Sequence, residues 1–473
     1  MTQDATREEV LQILQENRKM TLATSVDGNS TSNTVFYIVD GFELYFFTLL
    51  PTRKFQQIMY NQRVSAVIDD NKSEGARGIQ IQGRAVVLRD PAEIDRLKPL
   101  LLKAAVPEFE SLFELPVARF VKIVPEQIKL VDFYSSDQFQ FIEFPENRLS
   151  VASRINQAGK NKLRLWVRAL RAPFFTATII PMLLGIAIAF QETGEWNPFL
   201  ALVTLFGGVC VHAGTNLSND YFDHLSGNDE LNRWATPFNG GSRIIQAGLF
   251  SPLKVLLAAL ACFGIGSIVA FYLNDVHPDN TILIVLAIAL ILGFFYTADP
   301  LKIGYRGAGE VAVAIGFGPL AVLCAYYVQT GDLSLVPLFA SIPVAILIGI
   351  VLFVNEFQDE EADAAVGKNT LVVRLGKFKA SKVYYGGIAF SYIWILAGVL
   401  LGLLKADFIS AAHLPVFTVA TLITLPLAFK ASRILSEHYM EIYDLIPANA
   451  LTIMLHISFG LLYMLGFLIA GVL

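Results

Sequence analysis

Four aspartates in two pairs are the residues of this chain best suited to do chemistry. Asp220 and Asp223 are three apart, and Asp359 and Asp363 are four apart, so on helices each pair points to one side. An asparagine stands four residues before each first aspartate, Asn216 and Asn355, and each group follows an apolar run, residues 200–211 and 342–354. Carboxylates near the end of a membrane helix cost about 2.5–3.5 kcal/mol each at the bilayer centre, so they face a cavity, an interface or a partner. One such group would read as a solvated helix end; the same pattern twice argues for a polyanionic pocket that needs cations. Oxygen-only ligands suit magnesium, which takes one or two carboxylates together with water and phosphate oxygens. The natural third party is a diphosphate.

The elements that must position these groups are membrane helices. The chain is 54% hydrophobic and only 16% charged over 473 residues, with a mean hydropathy of +0.53, too apolar for an ordinary soluble protein. Nine apolar spans of about 20 residues, enough to cross the hydrocarbon core, lie near 173–190, 198–215, 252–273, 280–297, 309–328, 335–354, 384–404, 410–429 and 448–472. The loops at 191–197, 274–280 and 329–333 lack Lys and Arg. The alternate loops carry Arg233 and Arg243, then Lys302 and Arg306, then Lys368, Arg374, Lys377, Lys379 and Lys382. The positive-inside rule puts this second set, and with it both acidic groups, on the cytoplasmic side of an inner or plasma membrane. The net charge of -5 comes with no basic tract of the kind that binds nucleic acid. Cys210, Cys262 and Cys324 fall within apolar runs and read as packing residues.

The first 145 residues are of another kind. No cleavable signal opens the chain, since residues 1–18 are polar and acidic, so this part is expected in the cytoplasm. Residues 6–19 read as an amphipathic helix with Val10, Ile13 and Leu14 at helical spacing. Strand-forming runs follow at 21–26, 34–39, 44–49, 64–68, 79–88, 119–124 and 128–133, with turn signals at Asp27-Gly28 and Asp40-Gly41 and a helix near 92–104. Short strands at this rhythm predict a small closed barrel. The fold class is thus multi-domain: a mostly-β barrel at 1–145, a polar linker at 146–165, and an all-α bundle of nine transmembrane helices at 166–473.

At this point the motifs resemble known families. Asn219-Asp220-x-x-Asp223 and Asp359-x-x-x-Asp363 resemble the paired aspartate motifs of the UbiA superfamily of intramembrane prenyltransferases, as does the opening Arg171-Ala-Pro173 to Pro181-x-x-x-Gly185. Gly227-x-Asp229, Gly240-Gly241-Ser242-Arg243 and Tyr296-Thr-Ala-Asp-Pro300 are most similar to the 1,4-dihydroxy-2-naphthoate prenyltransferases of menaquinone synthesis. Where the broad family often has a third aspartate in its first motif, this chain has Gly227, with Asp229 two residues later. In the barrel region, Leu22-Ala-Thr-Ser, Leu44-Tyr-Phe-Phe-Thr48, Thr52-Arg53-Lys54, Asn61-x-Arg63-Val64-Ser65 and Ile81-Gln-Gly83-Arg-Ala resemble the flavin-binding split barrel of the pyridoxamine phosphate oxidase-like group.

These resemblances imply a reaction. Asp220, Asp223, Asp359 and Asp363 would hold magnesium on a polyprenyl diphosphate, helped by Asn216, Asn219, Asn355 and Asp229. Arg243, Lys302, Arg306 and Lys368 would meet diphosphate oxygens, and the face of Tyr296 would steady an allylic cation. An aromatic acceptor, 1,4-dihydroxy-2-naphthoate, then attacks. Thr48, Arg53 and Lys54 fall where the oxidase-like group holds a flavin phosphate, so FMN is the cofactor implied for the barrel, with a redox role motivated by the fusion alone. The partners implied are the diphosphate, the acceptor and the lipid bilayer; a homo-oligomer is left open. Three classes stay open from residues alone: this prenyltransferase (with this or another aromatic acceptor), a membrane-anchored flavin-dependent quinone reductase on a degenerate scaffold, and a transporter. The complete acidic set disfavours the second, and polar groups gathered at one face disfavour the third.

Overall fold

The computed structural model describes residues 3–70, 77–105, 110–115, 117–232, 236, 238, 240–404 and 407–473. Arg233, one of the basic loop residues above, lies outside them. The chain divides into two compact units, Met1–Trp166 with Ile244–Ser251, and Val167–Arg243 with Pro252–Leu473.

The first unit is a barrel. After helix α1 (Gln3–Glu16) come strands β1 (Lys19–Val26), β2 (Asn29–Asp40) and β3 (Glu43–Leu49), helix α2 (Arg53–Tyr60), strands β4 (Arg63–Asp69) and β5 (Arg77–Val87), and helices α3 (Pro91–Ala104) and α4 (Glu110–Phe113). Strands β6 (Ala118–Asp132) and β7 (Phe139–Glu143) complete the sheet. Its order is β3-β2-β1-β4-β5-β6-β7, and a β3–β6 pairing closes the ring, leaving β7 on the outside of β6. Every pairing is antiparallel. Asp27 and Gly28, both at positive φ, turn β1 into β2, and Val26 pairs with Asn29; this is the geometry a two-residue hairpin demands. β4 alternates strictly between exposed and buried residues, as a strand with one face on a core must. That core gathers Leu22, Phe46, Ile81 and Val121, with Val10, Ile13 and Leu14 of α1 packed on it. The Tyr37 hydroxyl donates to the Leu14 carbonyl at 2.9 Å, fixing α1 to β2. The runs at 119–124 and 128–133 form one strand, β6, because the chain continues through Pro125 against a register shift in β5. Much of the segment read as a linker is ordered: β7 precedes it and helix α5 (Val151–Ala169) occupies most of it.

The second unit is a helical bundle. Its helices are α6 (Thr176–Thr193), α7 (Pro198–Ser226), α8 (Asn228–Leu231), α9 (Pro252–Val276), α10 (Thr281–Phe294), α11 (Gly309–Ile315), α12 (Ala321–Thr330), α13 (Leu335–Ala365), α14 (Leu371–Leu375), α15 (Lys377–Leu403), α16 (Leu425–His438) and α17 (Ile446–Val472). Eight helical segments among the described residues are long and apolar enough to cross a membrane. The ninth span expected, near 280–297, is α10, with 14 residues, about 21 Å at 1.5 Å per residue and so shorter than the hydrocarbon core. The helix stops because the chain doubles back on itself: Ile303 N donates to Phe295 O at 3.1 Å and Gly304 N to Tyr296 O at 2.9 Å. The core of the bundle runs through Leu184, Ile188, Val344, Val354, Tyr384, Tyr392, Phe459 and Tyr463.

Close helix crossings depend on small residues. A Cβ on Gly185 of α6 would sit 2.3 Å from the Val322 carbonyl oxygen of the facing helix, whereas one on Gly159 would meet nothing within 4 Å. Gly185→Leu is therefore expected to part α6 from α12 at a cost of about 1–3 kcal/mol, seen as a lower unfolding temperature of the full chain in detergent. Gly159→Ala should leave that temperature unchanged or slightly raised, and the two variants unfolding alike would contradict the packing described.

Candidate active site

Asp220 and Asp223 lie near the C-terminal end of α7, and Asp359 and Asp363 near that of α13. Because each helix runs unbroken through its apolar stretch and its acidic group, the pairs keep the one-sided spacing of a helix. They are not fully solvated ends: Asp220 is 3% exposed, Asp223 9% and Asp363 1%, while Asp359 is half-buried.

A strap of chain between α7 and α9 joins the two pairs. Gly227, in the left-handed conformation, ends α7 and lets α8 turn back. Asn228 Nδ2 then donates to Asp363 Oδ1 at 3.0 Å, and Asn232 Nδ2 to Asp359 Oδ1 at 2.6 Å. Further on, Gly240, Gly241 and Arg243 all have positive φ. Ser242 meets Asp220 twice, through its backbone N–H at 3.2 Å and through its hydroxyl. A Cβ on Gly241 would lie 2.9 Å from Asp220 Oδ1 and 3.1 Å from Asp229 Oδ2, so only glycine lets the backbone pass between those carboxylates. Arg243 Nη1 donates to the carbonyls of Asp229 and Asn232 at 2.8 and 2.9 Å, which makes it a clamp for the strap.

The second joint is Lys368. The turn after α13 places its ammonium 3.4 Å from Asp363 Oδ1 and 3.9 Å from Asp223 Oδ2. Burial works against its proton, but the carboxylates of Asp223 and Asp363 outweigh burial and hold its pKa well above the ordinary lysine value. Tyr305 completes this corner, donating to Asp223 Oδ1 at 3.2 Å and Ser226 Oγ at 2.8 Å. Burial, then the Asp223 charge, pushes its phenol up to about 12. Asp229 is 2% exposed, and its Oδ2 has no hydrogen-bond partner among the described residues. Burial, followed by the charges of Asp223 and Asp220, raises its pKa well above the usual aspartate range.

The remaining residues singled out in the sequence are placed around this centre. Asn216 donates to the Leu170 carbonyl at 3.0 Å, Asn219 accepts from Thr297 at 2.8 Å, and Asn355 accepts from Asn449 at 2.7 Å. These asparagines thus tie the two acidic helices to their neighbours. Lys302 pairs with Asp299 at 3.0 Å, and Arg306 Nη2 donates to Pro300 O at 2.9 Å; both hold the 299–306 loop together. Tyr296 is buried, with Gly304 and Gly309 so close that a Cβ on them would approach its ring or hydroxyl to 2.9 and 2.7 Å. It lines an apolar cavity of about 140 Å³ together with Met182, Val211, His212, Ile282 and Phe317.

Ser242 lies within the Gly240-Gly241-Ser242-Arg243 motif but has no role in the sequence reading, and Tyr305, Asn228 and Asn232 carry no spacing signal that would have singled them out. The same is true of a carboxyl pair, Glu310 on α11 and Glu356 on α13. Both are buried and in contact, with Glu310 Oε1 also accepting from Leu371 N at 2.7 Å.

The donor atoms of the four aspartates are oxygens only, which suits a hard cation. They stay in two sets: among the described residues, the one trio of His and acidic ligand atoms within 4.8 Å of one another is His438, Glu441 and Asp444. That trio lies at the exposed end of α16, where His438 and Glu441 already pair at 3.0 Å. In the barrel, the Thr48 hydroxyl is buried and bonded to Thr52 at 2.9 Å. Arg53 Nε donates to Gln246 O at 3.3 Å. Beside it, Lys54 is half-buried, which lowers its pKa, and forms no ion pair among the described residues; a partly desolvated ammonium of this kind favours an anion.

Comparison with known proteins identifies the family. Residues 178–442 match the UbiA prenyltransferase family, and residues 6–132 match the pyridoxamine 5'-phosphate oxidase family. The chain is 29% identical over 308 residues to a 2-carboxy-1,4-naphthoquinone phytyltransferase of Synechocystis sp., covering 65% of this chain and 94% of that protein. It is 32% identical over 239 residues to a 1,4-dihydroxy-2-naphthoate octaprenyltransferase of Bacillus subtilis, covering 50% and 74%. The solved structure of General Stress Protein 26 from Bacillus anthracis is similar over 29% of this chain and 98% of its own, at 21% identity and a TM-score of 0.24. With a match that takes in more than half of its length, the chain belongs to the UbiA prenyltransferase family and carries a pyridoxamine 5'-phosphate oxidase-like domain at its N-terminus.

Proposed function

We propose that this enzyme transfers a polyprenyl group from polyprenyl diphosphate to 1,4-dihydroxy-2-naphthoate, with magnesium, in menaquinone biosynthesis. The observation that carries the reading is the two acidic sets, largely buried and joined through Lys368, Asn228 and Asn232, near an apolar cavity lined by Tyr296. Two relatives, acting by name on a naphthoate and a naphthoquinone, support the acceptor.

The site fits magnesium, since its donors are oxygens and Asp229 Oδ2 lacks a partner among the described residues. When bound, the metal supplies neutralisation of the diphosphate leaving group. Asp220 and Asp223 on one helix and Asp359 and Asp363 on the other would hold the metal through which that group is bound. Lys368 adds a fixed positive charge where negative charge grows as the carbon–oxygen bond breaks. The apolar walls keep water from the allylic cation, and Tyr296 offers it a ring face. The acceptor ring then forms the new carbon–carbon bond, and its carboxylate leaves as carbon dioxide, returning the electron pair to the ring. We place this site, the basic loops and the N-terminal domain on the cytoplasmic side, following the loop charges. For the N-terminal domain we propose FMN, its phosphate at Arg53 and Lys54, with Thr48 positioning the loop that precedes them. Its role would be to keep the acceptor or product reduced.

Three outcomes follow for the full chain. In membranes supplied with labelled polyprenyl diphosphate, magnesium and 1,4-dihydroxy-2-naphthoate, wild type forms product, while Asp220→Asn or Asp363→Asn loses about a thousandfold in kcat/KM, some 4 kcal/mol of transition-state stabilisation. Equal turnover by variants and wild type would refute the site; product with a different aromatic acceptor alone would move the acceptor but keep the reaction. Ala289→Phe, which fills the cavity wall, should depress transfer from long prenyl donors more than from short ones, and an equal effect on both would mean the chain lies elsewhere. Purified protein should show flavin absorbance, reduced about tenfold in occupancy by Arg53→Ala plus Lys54→Ala, the loss of charge-assisted phosphate bonds; colourless wild type after FMN addition would sink the cofactor assignment.

A further inference from the structure

Helix α5 turns three polar side chains toward the barrel: Arg154 pairs with Glu126 at 3.6 Å, Gln157 Nε2 donates to Gln62 Oε1 at 3.0 Å, and Asn161 Nδ2 donates to Tyr60 O at 2.7 Å. Leu165 and Ala169 near its end are buried, but four other apolar side chains turn away. Val151, Ile155, Leu163 and Val167, spaced by fours or multiples of four, are 73%, 69%, 66% and 42% exposed, and a Cβ on Gly159, at the missing position of that stripe, meets nothing within 4 Å. Residues four apart lie along one side of a helix, so these form a continuous apolar stripe. The inward bonds prevent the helix from rolling to hide it.

Charge flanks the stripe. Lys160, Lys162 and Arg164 are exposed beside Gly159 and Leu163, and residues 151–169 contain Arg154 and Arg168 as well but no Asp or Glu. An apolar stripe edged with cations matches a surface that is oily beneath and anionic above, which is the headgroup layer of a bilayer. Chain connectivity puts such a surface within reach, since only Leu170 and Arg171 separate α5 from the membrane span that opens at Ala172.

We propose that α5 lies in the interface of the membrane the chain spans, with Ile155, Leu163 and Val167 among the upper acyl carbons and Lys160, Lys162 and Arg164 on anionic lipid phosphates. The helix then anchors the barrel to a charged leaflet in addition to tethering it.

Nitroxide labels at Ile155→Cys and Leu163→Cys test this in the full chain with Cys210, Cys262 and Cys324 replaced by alanine, reconstituted in phosphatidylcholine vesicles with or without phosphatidylglycerol. Exposed Glu146→Cys is the water-facing control. With phosphatidylglycerol, both stripe labels should collide more with oxygen than with a water-soluble nickel complex, reversing the control's ratio. Lys160→Gln, Lys162→Gln and Arg164→Gln together should move the ratio back toward the control. Labels open to nickel in both vesicles would overturn the proposal, labels shielded from both reagents would mean that protein covers the stripe and would overturn it equally, and a ratio indifferent to the three cations would overturn the lipid-phosphate part.

Discussion

Like charge held away from water sets the terms for the helical half of this protein. Asp220, Asp223, Asp229 and Asp363 are all at most 9% exposed, and buried carboxylates are costly unless they are paired and hydrogen-bonded. Lys368, between Asp223 and Asp363, offsets part of that cost and is itself kept charged by them. In the function proposed above, the rest of the compensation arrives with a metal diphosphate, whose cation and anion each supply what the other lacks at these carboxylates and at Lys368.

The architecture around this pocket is what makes such crowding tolerable. Ser242 and the two asparagines of the strap supply hydrogen bonds to carboxylate oxygens, and Gly241 lets the backbone slip between Asp220 and Asp229. Arg243 acts on this arrangement by clamping the strap through main-chain carbonyls. Asn216, Asn219 and Asn355, each bonded to a neighbouring element, fix the two acidic helices in place. The polar groups at one end of the bundle stand near an apolar cavity that Tyr296 lines, which suits the charged head and oily tail of the substrate proposed above.

How much of this was legible in the sequence depended on the range of the signal. The aspartate pairs were plain because helical spacing is local, and the hairpin at Asp27-Gly28 was plain because its turn needs two left-handed residues. Barrel closure through β3 and β6 followed only from strand rhythm, and β7 was missed because its flanks are polar. α10 looked long enough to be a span, yet the chain leaves the helix at Phe295 for long-range backbone pairing that hydropathy does not encode. Lys302 and Arg306 read in the sequence as meeting diphosphate oxygens; their bonds to Asp299 and to the Pro300 carbonyl within their own loop are contacts that charge patterning does not encode. Glu310 and Glu356, 46 residues apart in the chain, meet only through packing of α11 on α13, and no spacing rule joins them.

The central claim is that both acidic helices hold metal ions on one diphosphate. Electron paramagnetic resonance of manganese, titrated with inorganic diphosphate into the detergent-solubilised full chain, tests it without relying on turnover. Diphosphate should convert free manganese to a bound signal in wild type, and either Asp223→Asn or Asp359→Asn alone should weaken that conversion, because each pair contributes to the same complex. Manganese binding indifferent to diphosphate, or unchanged when one of the pairs is neutralised, would contradict the account.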